Sequence, residues 1–147
     1  MIPVTDADPV ADDEFLLRRV HRAFFNPALG MPVQPEAFRP TDGDTDGLSV
    51  HRERFVTAAD SLAAVAEDKR AMYCVVRLSV GALRAMGLTI DPSPDSVRGI
   101  PGHALIRELN CLACRTAVGK PRCKAWQREL AKLAGTDIVL PFPNTSE

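Results

Sequence analysis

The chain has 147 residues, 46% of them hydrophobic and 25% charged, and a net charge of −1. That length and balance suit one globular domain and leave too little for two. Mean hydropathy is −0.06 and no apolar run approaches the roughly 20 residues that cross a bilayer, which excludes a membrane-spanning helix.

Taken in chain order, residues 1–11 (MIPVTDADPVA) hold two interior prolines and no periodicity, the mark of a disordered tail. The opening is acidic where a secretory leader is basic, so a cytoplasmic setting is expected. From Asp12 an N-cap, early acids and the i, i+4, i+8 spacing of Leu16, Val20 and Phe24 predict a first helix, with a strand over LLRRVH as the alternative. Pro27, Pro32, Pro35, Pro40 and three glycines then predict a long proline-rich loop over 26–47, a length often reserved for function.

Shorter elements follow. Leu48–His51 reads as a strand, and Thr57 with Asp60 forms a capping signature for a helix reaching Ala66. Alternation from Met72 to Leu78 predicts a strand. Ser79 caps a short helix that Gly87 ends. Leu88–Ile90 is a brief strand before the turn-rich DPSPDSVRGIPG, and His103–Ile106 another. Lys120 and Pro121 open a helix with Trp126, Leu130, Leu133 and Ala134 on its apolar stripe, Gly135 stops it, and Ile138–Leu140 adds an edge strand. Together these give an α+β domain over residues 12–147, with a small mixed sheet, short helices and the long loop.

Charge is unevenly spread: residues 1–50 hold four basic and nine acidic side chains, and residues 101–147 seven and four. The seven cations between Arg107 and Lys132 would form a positive face if the fold gathers them. Near-neutrality overall disfavours a dedicated nucleic-acid binder, because phosphate neutralisation supplies most affinity there.

Two patterns have metal-ligand spacing. Asp42, Asp44, Asp46, Gly47 and Glu53 fit the D-x-D-x-D-G-x5-E calcium loop, in which alternate carboxylates converge on a hard cation. Pro35 and Pro40 would break the helix that should lead into it, and Ser49 stands where an apolar residue is usual. Cys111 and Cys114 make one C-x2-C knuckle, and Cys123 and His103 complete a possible zinc set without the usual second paired spacing. A metal-free protein is the favoured reading of both. The cysteines are otherwise expected as free thiols, Cys74 and Cys123 in the core.

Histidine titrates near neutrality and arginine binds phosphate or carboxylate in bidentate fashion, so Arg19, His21, Arg39, Ser49 and His103 are the candidate cleft. Arg18, Arg19, Arg39 and Arg52 could supply the anion pocket; the opposing reading has Arg18, Arg19 and Arg22 on a solvated face and His21 and His103 capping strand ends. LLRRVH (16–21), AFRPTDGDTDGLSVHRERF (37–55) and DPSPD with PGHALI (91–106) resemble segments of a group of short bacterial proteins without an established activity. That resemblance implies a bacterial origin and one shared domain, and points to the same five residues.

The expected function is a binding or interaction module, accessory to a toxin, immunity or defence operon, whose partner is a protein or an anionic small molecule. One alternative resembles the ADP-ribosyltransferases, which hold their nucleotide through an Arg or His on an early strand, followed by a Ser on the next. Arg19 or His21 and Ser49 would fill those places, with Glu108 as the catalytic carboxylate. Another alternative is a basic zinc-knuckle module for RNA over 107–132. Whether the protein is an enzyme is left open at this level.

Overall fold

The computed structural model describes residues 4–94 and 100–143. Part of the turn-rich segment 91–102 and the ends of the chain therefore lie outside the described residues. Six strands, β1 (Phe15–His21), β2 (Leu48–Arg52), β3 (Tyr73–Ser79), β4 (Ile90–Pro92), β5 (His103–Ile106) and β6 (Ile138–Leu140), form one sheet in the order β4-β5-β2-β1-β3-β6. Three α-helices accompany it among the described residues: α1 (Ala58–Leu62), α2 (Val80–Ala85) and α3 (Gly119–Gly135). The class is α+β, as expected.

Every pairing is antiparallel, so the sheet is not mixed. The short helices α1 and α2 cannot carry the chain back along a strand. A five-residue helix advances about 8 Å, against about 23 Å for a seven-residue strand.

The first predicted helix is a strand. β1 pairs with β3 along all seven residues and with β2 on its other side. Leu16 and Val20 enter the main core while their neighbour Leu17 enters a second one, a division that alternation produces and a helical stripe does not. The main core lies between the sheet, α2 and α3, with Leu48, Val76, Leu78, Ile106, Leu83 and Leu130 fully buried. On the opposite face Leu17, Val56 and Val75 pack with Leu62, Ile100 and Leu140. Burial on both faces explains why β1 reads as a continuous apolar run broken only by its arginines.

The segment 26–47 is not one open loop. Phe25 and Val33 form a β-bridge, Pro35–Phe38 is a 3-10 turn, and Val33, Ala37 and Phe38 are buried. Residues 6–10, expected to fray, are tied down. The Arg52 guanidinium donates to the carbonyls of Asp6, Asp8 and Pro9 and, through Nε and Nη2, to both oxygens of Glu14 at 2.8 and 2.7 Å. Arg52 is 0% exposed and its ring of acceptors makes burial of the charge tolerable. It is thus a structural clasp and not a ligand-binding arginine.

Most other elements fall near where the pattern puts them, although α1 ends at Leu62 rather than Ala66 and β4 runs Ile90–Pro92 rather than Leu88–Ile90. Thr57 caps α1 by accepting from Asp60 N, and Ser79 caps α2 by accepting from Ala82 N. Gly87, at φ +91, follows α2 in the left-handed region. α3 covers the predicted span almost residue for residue.

Candidate functional site

Strand alternation builds a polar area on the sheet face opposite α3. β2 presents Ser49 and His51 two residues apart, and in the ladder His51 faces Leu17 of β1 on one side and His103 of β5 on the other. Residues paired this way share a face. The His51 and His103 rings meet edge to face with centroids 5.5 Å apart.

His103 is held at both ring nitrogens. Nδ1 lies 2.7 Å from the Ser93 carbonyl and Nε2 lies 2.6 Å from Ser49 Oγ. A carbonyl only accepts, so Nδ1 carries the proton, and in the neutral tautomer Nε2 accepts from the Ser49 hydroxyl. A serine donating to an imidazole whose far side is fixed by a third group is the arrangement that turns a hydroxyl into a nucleophile.

Ser49 stands between two clefts. One, about 260 Å³, is lined by Leu17, Arg18, Arg19, Ser49, His51, Val65 and Tyr73. The other, about 240 Å³, includes Ser49, Ser93 and His103 with Asp44 and Asp46. Cationic groups therefore border one side of Ser49 and carboxylates the other. Arg19 Nη1 donates to the Ser61 carbonyl at 2.7 Å, and Arg18 donates to the carbonyls of Ala37 and Ser49. Burial pushes the Arg18 pKa down to about 10, partly offset by Asp44, so the group stays cationic at neutral pH. The bend into β2 requires Gly47: its φ is +145, and an added Cβ would lie 2.8 Å from the Ile106 carbonyl oxygen.

Of the five sequence candidates, Arg19, Ser49 and His103 come together here. His21 shares the alternation of Arg19, but its Nδ1 accepts from Ala23 N and its ring packs edge-on against Tyr73, so it caps the end of β1. Arg39 is exposed on the α3 side and lines a separate groove. His51 was not in the set, although its two-residue spacing from Ser49 on a predicted strand was the available signal.

Neither metal pattern assembles, and among the described residues no group of three or more His, Cys, Asp or Glu side chains is placed to hold a metal ion. For calcium, Asp42 pairs with Arg115, Asp44 accepts from Thr41, and Glu53 meets Arg77 at 3.4 Å. The strand between Gly47 and Glu53 carries the last carboxylate roughly 17 Å from the turn, where a calcium loop would have folded back. For zinc, Cys114 and Cys123 form a disulfide, Cys111 is buried with Sγ 3.8 Å from the Asp42 carbonyl, and His103 is engaged at Ser49 and Ser93. The expectation of four free thiols or ligands is thus corrected: α3 brings Cys123 to Cys114, and Cys74 and Cys111 remain free. Nor does C-x2-C pair within itself. Glu108 accepts from Thr89 N and Oγ1 at 2.7 and 2.6 Å, beyond the end of β5 and occupied there.

No protein family, curated protein or solved structure matches the chain. Among the described residues no helix is long and apolar enough to cross a membrane.

Proposed function

We propose that the protein is a small binding module whose ligand is an anionic small molecule, seated on the polar sheet face around Arg19, Ser49, His51 and His103. The supporting observation is the Ser49–His103–Ser93 hydrogen-bond chain beside a cleft bordered by Arg18 and Arg19. A carboxylate or phosphate monoester there would meet guanidinium groups beside the Ser49–His103 pair. The test is a histidine-resolved NMR titration with simple carboxylates and nucleoside monophosphates. The His51 and His103 ring signals should move, the His21 signal should stay, and Arg19→Ala should remove the response. Unmoved rings at millimolar ligand would dispose of the proposal.

A second reading, a group-transfer enzyme, is favoured by the same Ser49–His103 contact, which supplies nucleophile and base. The ADP-ribosyltransferase version keeps Arg19 and Ser49 but loses Glu108 to its contacts with Thr89. Incubation with a fluorophosphonate distinguishes the readings. A mass adduct on Ser49 that disappears in His103→Gln supports transfer, and an unmodified Ser49 leaves the binding module.

A further inference from the structure

We propose that the groove between α3 and the turn at 39–42 is a second ligand site, made for an organic phosphate of nucleoside-polyphosphate type. It lies on the α3 side of the sheet, away from the Arg19 cleft, and has a volume of about 600 Å³, within the range of small-molecule sites. Four cations line it, Arg39, Arg115, Lys120 and Lys124, against the single carboxylate of Asp42. Asp42 is already paired with Arg115, so the groove presents a net positive wall. Three of the seven basic residues between Arg107 and Lys132, namely Arg115, Lys120 and Lys124, are gathered here, joined by Arg39 from a distant segment.

A second observation points inward. Gln127 lines the same groove and is only 6% exposed, and its amide is not among the fully buried unpartnered atoms of the described residues, so the little of it that is exposed faces the groove. A carboxamide facing the groove offers both a donor and an acceptor to whatever enters. Lys120, Lys124 and Gln127 follow one another at i, i+4 and i+7 along α3, which places them on one side of the helix. Gln127 lies about 10 Å along the axis from Lys120. An anionic group at the lysines and a polar edge at the glutamine are therefore separated as the phosphates and base of a nucleotide are. The floor is sulfur-rich, with Cys111 and the Cys114–Cys123 disulfide, a polarizable surface suited to an aromatic ring. The approach of α3 to this floor needs Gly119, where an added Cβ would collide with the Ala113 carbonyl oxygen.

The experiment is calorimetric titration of the full chain with ATP and, separately, with inorganic tripolyphosphate, at two salt concentrations. Both probes should bind, more weakly at high salt. Lys120→Glu with Lys124→Glu, exposed positions that leave the core intact, should weaken both by roughly tenfold or more. Gln127→Leu should weaken ATP by roughly tenfold and leave tripolyphosphate unchanged, as expected for one lost pair of neutral hydrogen bonds. Gln127→Met, uncharged and of similar length, checks that a second folded variant behaves likewise. The titrations are run in the Arg19→Ala background, which removes any binding at the sheet-face cleft, so that the binding left reports the α3 groove alone. The proposal is overturned if ATP does not bind at millimolar concentration, if the lysine variants bind it normally, or if Gln127→Leu affects both probes equally. It is also overturned if single-stranded RNA binds through the lysines while ATP does not.

Discussion

Single residues here divide between those that hold the fold and those that border its clefts, and burial tells them apart. Arg52 and Glu14 are both buried, at 0% and 7% exposed. Burial raises the Glu14 pKa, but the Arg52 hydrogen bonds, the Ala11 N–H and the nearby positive charge outweigh it, so the carboxyl titrates below its ordinary 4.5. A lowered folded-state value means that the pair's stabilisation is fully present above about 4.5 and is lost as pH falls through the lowered value. Replacing Glu14 with Gln strands a buried guanidinium and should cost about 3 kcal/mol at pH 7 in urea unfolding. The difference from wild type should shrink as the pH drops below 4.5, and a constant difference would refute the assignment. Ser61 behaves oppositely. Its hydroxyl is buried without a partner among the described residues, so Ser61→Ala should raise stability by about 1 kcal/mol. Burial pushes the Cys74 thiol up to about 11, and it should resist alkylation at neutral pH until the protein unfolds.

At the scale of elements, the firmest piece is α3, whose apolar stripe carries Leu130, Ala131 and Ala134 into the main core. Its start is fastened by the Cys114–Cys123 bond to the 3-10 turn Ala113–Arg115. Closing a loop of nine residues' separation should contribute about 2–3 kcal/mol by the chain-entropy estimate. Cys114→Ser, compared with oxidised wild type, should lower stability by that amount. Because the same bond floors the α3 groove, reduction should also weaken ATP binding there. The strand β1 teaches a different lesson. Its residues suit helix or strand by local pattern, and the ladder to β3 decided between them by pairing every residue.

For the whole molecule, the sheet separates two polar regions, one on each face, and their ligands should act independently. Arg19→Ala combined with Lys120→Glu and Lys124→Glu should change the thermal midpoint and binding by the sum of the separate effects, and marked non-additivity would show that the regions are coupled. Within the described residues, some of the charge asymmetry along the chain is cancelled by folding, with Asp12 meeting Arg84 and Asp42 meeting Arg115. Caps, breakers and alternation were legible because they are local: Thr57, Ser79, Gly87 and Gly135 mark the same boundaries in sequence and structure. So were Ser49 and His103 as residues worth watching. Their contact was not, since 54 positions separate them and only the β2–β5 register brings them together. The same holds for Cys114 with Cys123, whose spacing fitted a metal knuckle as well as a bond, and for Asp42, whose partner Arg115 removed it from a calcium loop. Gln127 drew no attention in the sequence, because its opening into a basic groove depended on Arg39 arriving from the turn after Pro35–Phe38. The sequence by itself determined the α+β class, most element boundaries and the apolar faces, because those follow from short-range periodicity and backbone chemistry. Strand order, the antiparallel sense of the sheet, the disulfide and both clefts were decided by tertiary structure, because each depends on which distant segments pair.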